Sequence, residues 1–108
     1  MRHSTFVVLA AALTASISIA AGQEQRGNIA SGRSLAQRWC GNCHEVSAAV
    51  PPARAGVSPF ADIARLQSTT ALSLRVFLRT SHADMPNIQL TEAESDDLVA
   101  YVLSLKAR

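Results

Sequence analysis

Two thiols separated by two residues and followed at once by an imidazole occur in Cys40-Gly41-Asn42-Cys43-His44. This is the C-x-x-C-H spacing for covalent attachment of haem. On one helical turn both thiols project to the same side and can meet the two vinyl groups of one porphyrin. His44 then comes up beneath the ring, where an imidazole can bind iron. Other chemistries fit these residues less well. A disulfide-exchange C-x-x-C normally sits near a βαβ pattern, which this sequence lacks. A zinc site made from Cys40, Cys43, His44 and His82 has suitable ligand types but not the usual separation between ligand pairs. A structural disulfide leaves His44 without a role. The expected cofactor is therefore one haem c, with its iron, attached through Cys40 and Cys43.

A second candidate ligand lies in Met85-Pro86. With His44 and Met85 as axial ligands the iron is six-coordinate and low-spin, and the site has no vacancy for a substrate. Its work is then outer-sphere transfer of one electron, not catalysis. Met85 has a plainer role open to it, as a gap-filling core residue. Against that role, Pro86 holds it in a loop, and it is the only methionine once a leader segment is removed. If Met85 does not bind iron, the second reading is a five-coordinate haem protein that takes up a small gas or a peroxide. His82, three residues earlier, has three roles open: an alternative ligand, a partner for a haem propionate, or a surface group, the last two being expected first. Trp39 and Tyr101 could each donate to a propionate, but at their helical positions core packing is the expected role.

The elements that must position these groups read as helices. Ile29, Arg33, Ala36 and Cys40, with Gly32, Leu35 and Trp39 beside them, recur every three or four residues, which predicts about three helical turns running into Cys40. Gly32 inside that helix costs roughly 1 kcal/mol against Ala, so a close approach of another helix is expected there. Val46 to Pro59, with Pro51, Pro52, Gly56 and Pro59, reads as loop. Phe60, Ile63, Ala64 and Leu66 predict a short helix. Ala71, Leu72, Leu74, Phe77 and Leu78 predict another, with Arg75 and Arg79 on its wet side. His82 to Gln89 is expected to be extended, because Pro86 disfavours helical geometry at Met85. Thr91 followed by Glu94 is a capping box, with Glu92, Asp96 and Asp97 adding negative charge at the helix start. Leu98, Tyr101, Val102 and Leu105 form the buried stripe of that last helix. No β pattern and no internal repeat is present, so the fold class is all-α.

The chain has 108 residues, of which 48% are hydrophobic and 5% aromatic, with a formal net charge of +2. That is room for one small domain. Two Cys exclude a four-Cys iron-sulfur cluster and a multiply bridged mini-protein. The nine Arg and one Lys are scattered among eight acids, so no basic stripe for nucleic acid exists. Met1-Arg2-His3 is a short basic start, Phe6 to Ala15 an apolar run, and Ser18 to Gly22 a stretch of small residues before the polar Gln23-Glu24-Gln25-Arg26. These are the parts of a secretory signal peptide. The run is too short and too interrupted by Thr14, Ser16 and Ser18 for a stable membrane span. Residues 1–21 are thus expected to be a cleavable leader, cut near Ala21 to Gln23, and residues 22–108 the folded domain, exported to the periplasm.

These residues together resemble the class I c-type cytochromes, over nearly all of the chain after the leader. Gly32, Leu35 and Cys40-Gly41-Asn42-Cys43-His44 match the first helix and haem motif of that family, Met85-Pro86 its axial-methionine loop, and Leu98-Val99-Ala100-Tyr101 its last helix. The resemblance implies a cytochrome c fold in which the first and last helices cross, with Gly32 and Tyr101 at the contact, and short helices and loops wrapped around one covalent haem. It also implies an electron carrier, or the cytochrome subunit of an exported oxidoreductase, whose partners are redox proteins. Two departures stand out: Ala36 occupies a position where many members carry an aromatic residue, and the span between His44 and Met85 is short. Neither touches the ligands.

Overall fold

The computed structural model describes residues 27–47 and 54–107. The expected leader, residues 1–21, and the Pro51-Pro52 part of the expected loop lie outside the described residues. Among the described residues four α-helices follow one another: α1 (Ile29–Leu35), α2 (Phe60–Arg65), α3 (Ala71–Leu78) and α4 (Glu92–Ser104). α1 continues without a break into a π-helical turn, Ala36–Cys40, and α4 ends in a 3-10 turn, Leu105–Ala107. The described residues contain no β-strand.

Local chemistry explains each start. Asn28 caps α1, its side-chain oxygen accepting from Ser31 N at 3.0 Å. Thr91 and Glu94 form the expected reciprocal box: Glu94 N donates to Thr91 Oγ1 at 3.2 Å, and Thr91 N to Glu94 Oε2 at 2.9 Å. A second box opens α3, where Ser73 N donates to Thr70 Oγ1 at 3.1 Å and Thr70 N to Ser73 Oγ at 2.8 Å. The sequence reading misses it, because the usual signature carries Glu or Gln at the third position, not Ser.

α1 crosses α4 at the two glycines that precede and enter it. A Cβ on Gly32 would run into the Asp97 carbonyl and lie 2.8 Å from Tyr101 Cβ, and one on Gly27 would run into the Asp96 carbonyl. The predicted Gly32–Tyr101 contact is present, but the atom that forbids a side chain is the backbone of Asp97. Asp97 also ties the crossing from the other direction, accepting from Asn28 N at 2.6 Å. The core below the crossing joins Ala36 and Cys40, Val46, Phe60 and Ala64, and Leu98, Tyr101, Val102 and Leu105. The stripe predicted for the last helix is thus the buried one.

α3 departs from its predicted pattern. None of its residues is fully buried: Leu74 and Leu78 pack against the core, whereas Leu72 is 70% exposed on the outer side. Arg75 is not on the wet side either. Its Nε donates to Asp96 Oδ1 at 2.6 Å, which fastens α3 to α4. Arg79 makes only an exposed pair with Glu92 at 3.3 Å. Among the described residues no helix is long and apolar enough to cross a membrane.

Candidate haem site

The π turn carries the first thiol. Gly41 N donates to the Ala36 carbonyl five residues back at 2.9 Å, the wide spacing of a π turn. The wider turn changes the helical phase just before the motif, so that Cys40 points into the core while Trp39, expected in the core, is 55% exposed. The next turn closes on Cys40: Cys43 N and His44 N both donate to the Cys40 carbonyl, at 3.1 and 2.9 Å. Cys40, Cys43 and His44 are thereby held on one turn, with both thiols free. Burial, and then the neighbouring Cys43, push the Cys40 thiol up to about 11.

His44 is oriented by backbone. Its Nδ1 lies 2.7 Å from the Ser58 carbonyl oxygen. A carbonyl can only accept, so Nδ1 carries the hydrogen and Nε2 keeps a lone pair available to a metal. Phe60 backs the imidazole, with ring centroids 5.3 Å apart, and Phe60 N donates to the Glu45 carbonyl at 2.9 Å. The segment after the motif is therefore pulled in beneath His44. No side chain in the sequence announces the Ser58 contact, since it is made by a main-chain oxygen. Its nearest sequence signal is Pro59, which restricts Ser58 to extended backbone.

Two adjoining clefts both have Cys40, His44, Phe77 and Met85 in their walls. The smaller is lined by apolar side chains, among them Ile63, Leu74, Leu98 and Val102. Cys43, Trp39, His82 and Pro86 line the larger. The fold thus brings Cys40, Cys43, His44 and Met85 to the walls of one cleft. The donor set suits a haem: two thiols on one turn, one imidazole with a free nitrogen, one thioether, and an apolar lining.

The stretch from His82 to Gln89, expected to be extended, instead opens with a turn that ends at Met85. Met85 N donates to the His82 carbonyl at 3.4 Å, and Asp84 between them has φ +64°. His82 Nε2 lies 3.0 Å from the Phe77 carbonyl, and its ring stacks on Phe77. Tyr101 takes the packing role expected of it: its hydroxyl donates to the Val46 carbonyl at 2.5 Å, inside the core. Among the described residues no three His, Cys, Asp or Glu side chains gather into a metal-holding cluster.

A small all-α domain folded around one haem, covalently held on a single turn between its first and second helices, is the class this architecture and cavity define. Residues 29–106 match the family model described as Cytochrome c. The chain is also 36% identical over 100 residues to cytochrome c-552 of Bradyrhizobium diazoefficiens, an alignment that spans 93% of this chain and 90% of that protein. No solved structure matches. The chain belongs to the cytochrome c family. It is a one-haem electron carrier that works with redox partners, and Cys40 and Cys43 attach its haem c.

Proposed function

We propose that this cytochrome is a periplasmic one-electron carrier with no substrate chemistry of its own, exported by residues 1–21, and that His44 and Met85 are its axial ligands. The observation that carries the reading is the His44 Nδ1 contact with the Ser58 carbonyl, which leaves Nε2 free in a cavity that also contains Met85. When bound, haem iron supplies the one-electron couple. The protein's own residues do the rest. Cys40 and Cys43 hold the ring against the turn. His44 is fixed in one tautomer and one orientation by Ser58. The Met85 thioether favours the ferrous state and raises the potential. Ile63, Leu74, Leu98 and Val102 keep water from one side of the cavity, which lowers the local polarity felt by the iron.

Expression with a c-type maturation system tests the ligands. The ferric wild type is expected to show the methionine-sulfur to iron charge-transfer band, and Met85→Ala to lose it together with a fall in potential. A band that survives in Met85→Ala overturns the assignment. Fast stoichiometric uptake of carbon monoxide by the reduced wild type at neutral pH favours the five-coordinate reading instead. The mass of the purified periplasmic protein tests export, and a mass retaining residues 1–21 overturns the leader.

A further inference from the structure

With His44 and Met85 as the proposed ligands His82 has no part in ligation, yet it is held by two contacts at once. Its Nε2 lies 3.0 Å from the Phe77 carbonyl oxygen. That oxygen belongs to the last turn of α3, where it also accepts from Thr80 N at 3.1 Å, and it can only accept, so Nε2 carries the hydrogen. The imidazole also stacks on the Phe77 ring, with centroids 3.6 Å apart and planes 12° from parallel. A residue with only a surface role would not be expected to make both contacts with one neighbour, and the nitrogen that donates to Phe77 is not free to bind iron.

The other end of the His82 unit leads to Met85. The His82 carbonyl accepts from Met85 N at 3.4 Å, closing a four-residue turn. Asp84, at the third position of that turn, has φ +64°, the left-handed region that Asp tolerates better than most residues. α3 is in turn fastened to α4 by Arg75 and Asp96 at 2.6 Å, and Leu74 and Leu78 pack against the core. A continuous chain of contacts therefore runs from α4 through α3, Phe77 and His82 to the turn that ends at Met85. The loop has few other internal ties: beyond this turn, Ile88 N donates to the Pro86 carbonyl at 3.0 Å.

We infer that His82 is a positioning residue, which anchors the Met85 turn to Phe77 of α3 and so sets how readily Met85 leaves the iron. The inference rests on the reading that Met85 is a ligand. With the anchor in place, an exogenous ligand must wait for the turn to lift. Without it, the turn opens more often and the iron is reached sooner.

The test is stopped-flow binding of imidazole to the ferric holoprotein, followed through the charge-transfer band. His82→Ala is expected to bind imidazole roughly tenfold faster than wild type, the size expected for losing one hydrogen bond and one ring stack. Its covalent haem content and helical circular dichroism should be unchanged. His82→Phe keeps a ring to stack but has no donor, and should fall between the two. If His82→Ala does not accumulate as holoprotein, His82→Phe carries the test alone. A wild-type rate in the folded variant overturns the inference. Met85→Ala separates this failure from that of the ligand reading: if Met85→Ala retains the band, Met85 is not the ligand. If it loses the band while the His82 variants bind at the wild-type rate, the ligand stands and the anchor falls.

Discussion

The hydroxyl of Tyr101 donates to the carbonyl of Val46 across 55 residues of sequence, at 2.5 Å. Val46 lies two residues beyond His44, and the carbonyl before it, that of Glu45, accepts from Phe60 N. The chain leaving the haem-attachment turn is thus gripped at two successive carbonyls, by α4 and by the start of α2. Both grips are made to main chain, which resists displacement more than a side chain does. Removal of the hydroxyl in Tyr101→Phe leaves a buried acceptor without its partner, at a cost of about 1–3 kcal/mol. Urea unfolding of the holoprotein checks this: the midpoint falls while the slope stays the same.

Gly32→Ala is expected to be as costly for a different reason. The added methyl meets the Asp97 carbonyl, and backbone cannot rotate out of the way. α1 and α4 must move apart, with an expected loss of about 1–3 kcal/mol. Thermal unfolding should show this as a drop of several degrees, since about 1 kcal/mol moves the midpoint of a domain this size by roughly 4–8 °C.

Glu94 carries a pH dependence. The Thr91 backbone N–H first, then its hydroxyl, hold the Glu94 carboxyl below its ordinary value. A depressed folded-state value means that the charged form stabilises the fold above the unfolded-chain value of about 4.3. That contribution is lost as pH falls through the lowered folded value. Glu94→Gln keeps an acceptor for the capping box but removes the charge. Its deficit in stability should be full at neutral pH and shrink as pH drops below the ordinary carboxylate range, which denaturation midpoints across that range would reveal. A constant deficit at all pH values contradicts the assignment.

Electron exchange with partners should depend weakly on salt. The formal net charge is +2. The acids at the start of α4 are partly matched, Asp96 by Arg75 and Glu92 by Arg79. Little long-range field is left to steer an encounter. Second-order rates measured between about 0.01 and 0.2 M ionic strength should change by less than roughly threefold. A steep decline would reveal a charged face that these pairs do not neutralise.

The attachment turn, the cap at Thr91 and the buried stripe of α4 were legible because each depends on neighbours in sequence. A C-x-x-C-H spacing needs only one turn, a capping box only four residues, and a stripe only helical periodicity. Trp39 and Arg75 were misread because the deciding events lie elsewhere. One extra residue in the turn before Cys40 changes the phase and turns Trp39 out, while the approach of α4 gives Arg75 a carboxylate that local periodicity does not reveal.

The same division holds at the haem cavity. The identities of Cys40, Cys43, His44 and Met85 are local facts, since each group's chemistry is written in its own side chain. Their convergence is not, because Met85 is separated from His44 by two helices and their connecting loops. The tautomer of His44 depends on a main-chain oxygen at Ser58, and the seat of Met85 on a turn pinned to the end of α3. Backbone carbonyls carry no sequence signature. Only packing α2 and α3 against α4 brings those oxygens within hydrogen-bond reach, and that packing decides which atoms of the motif are free to act.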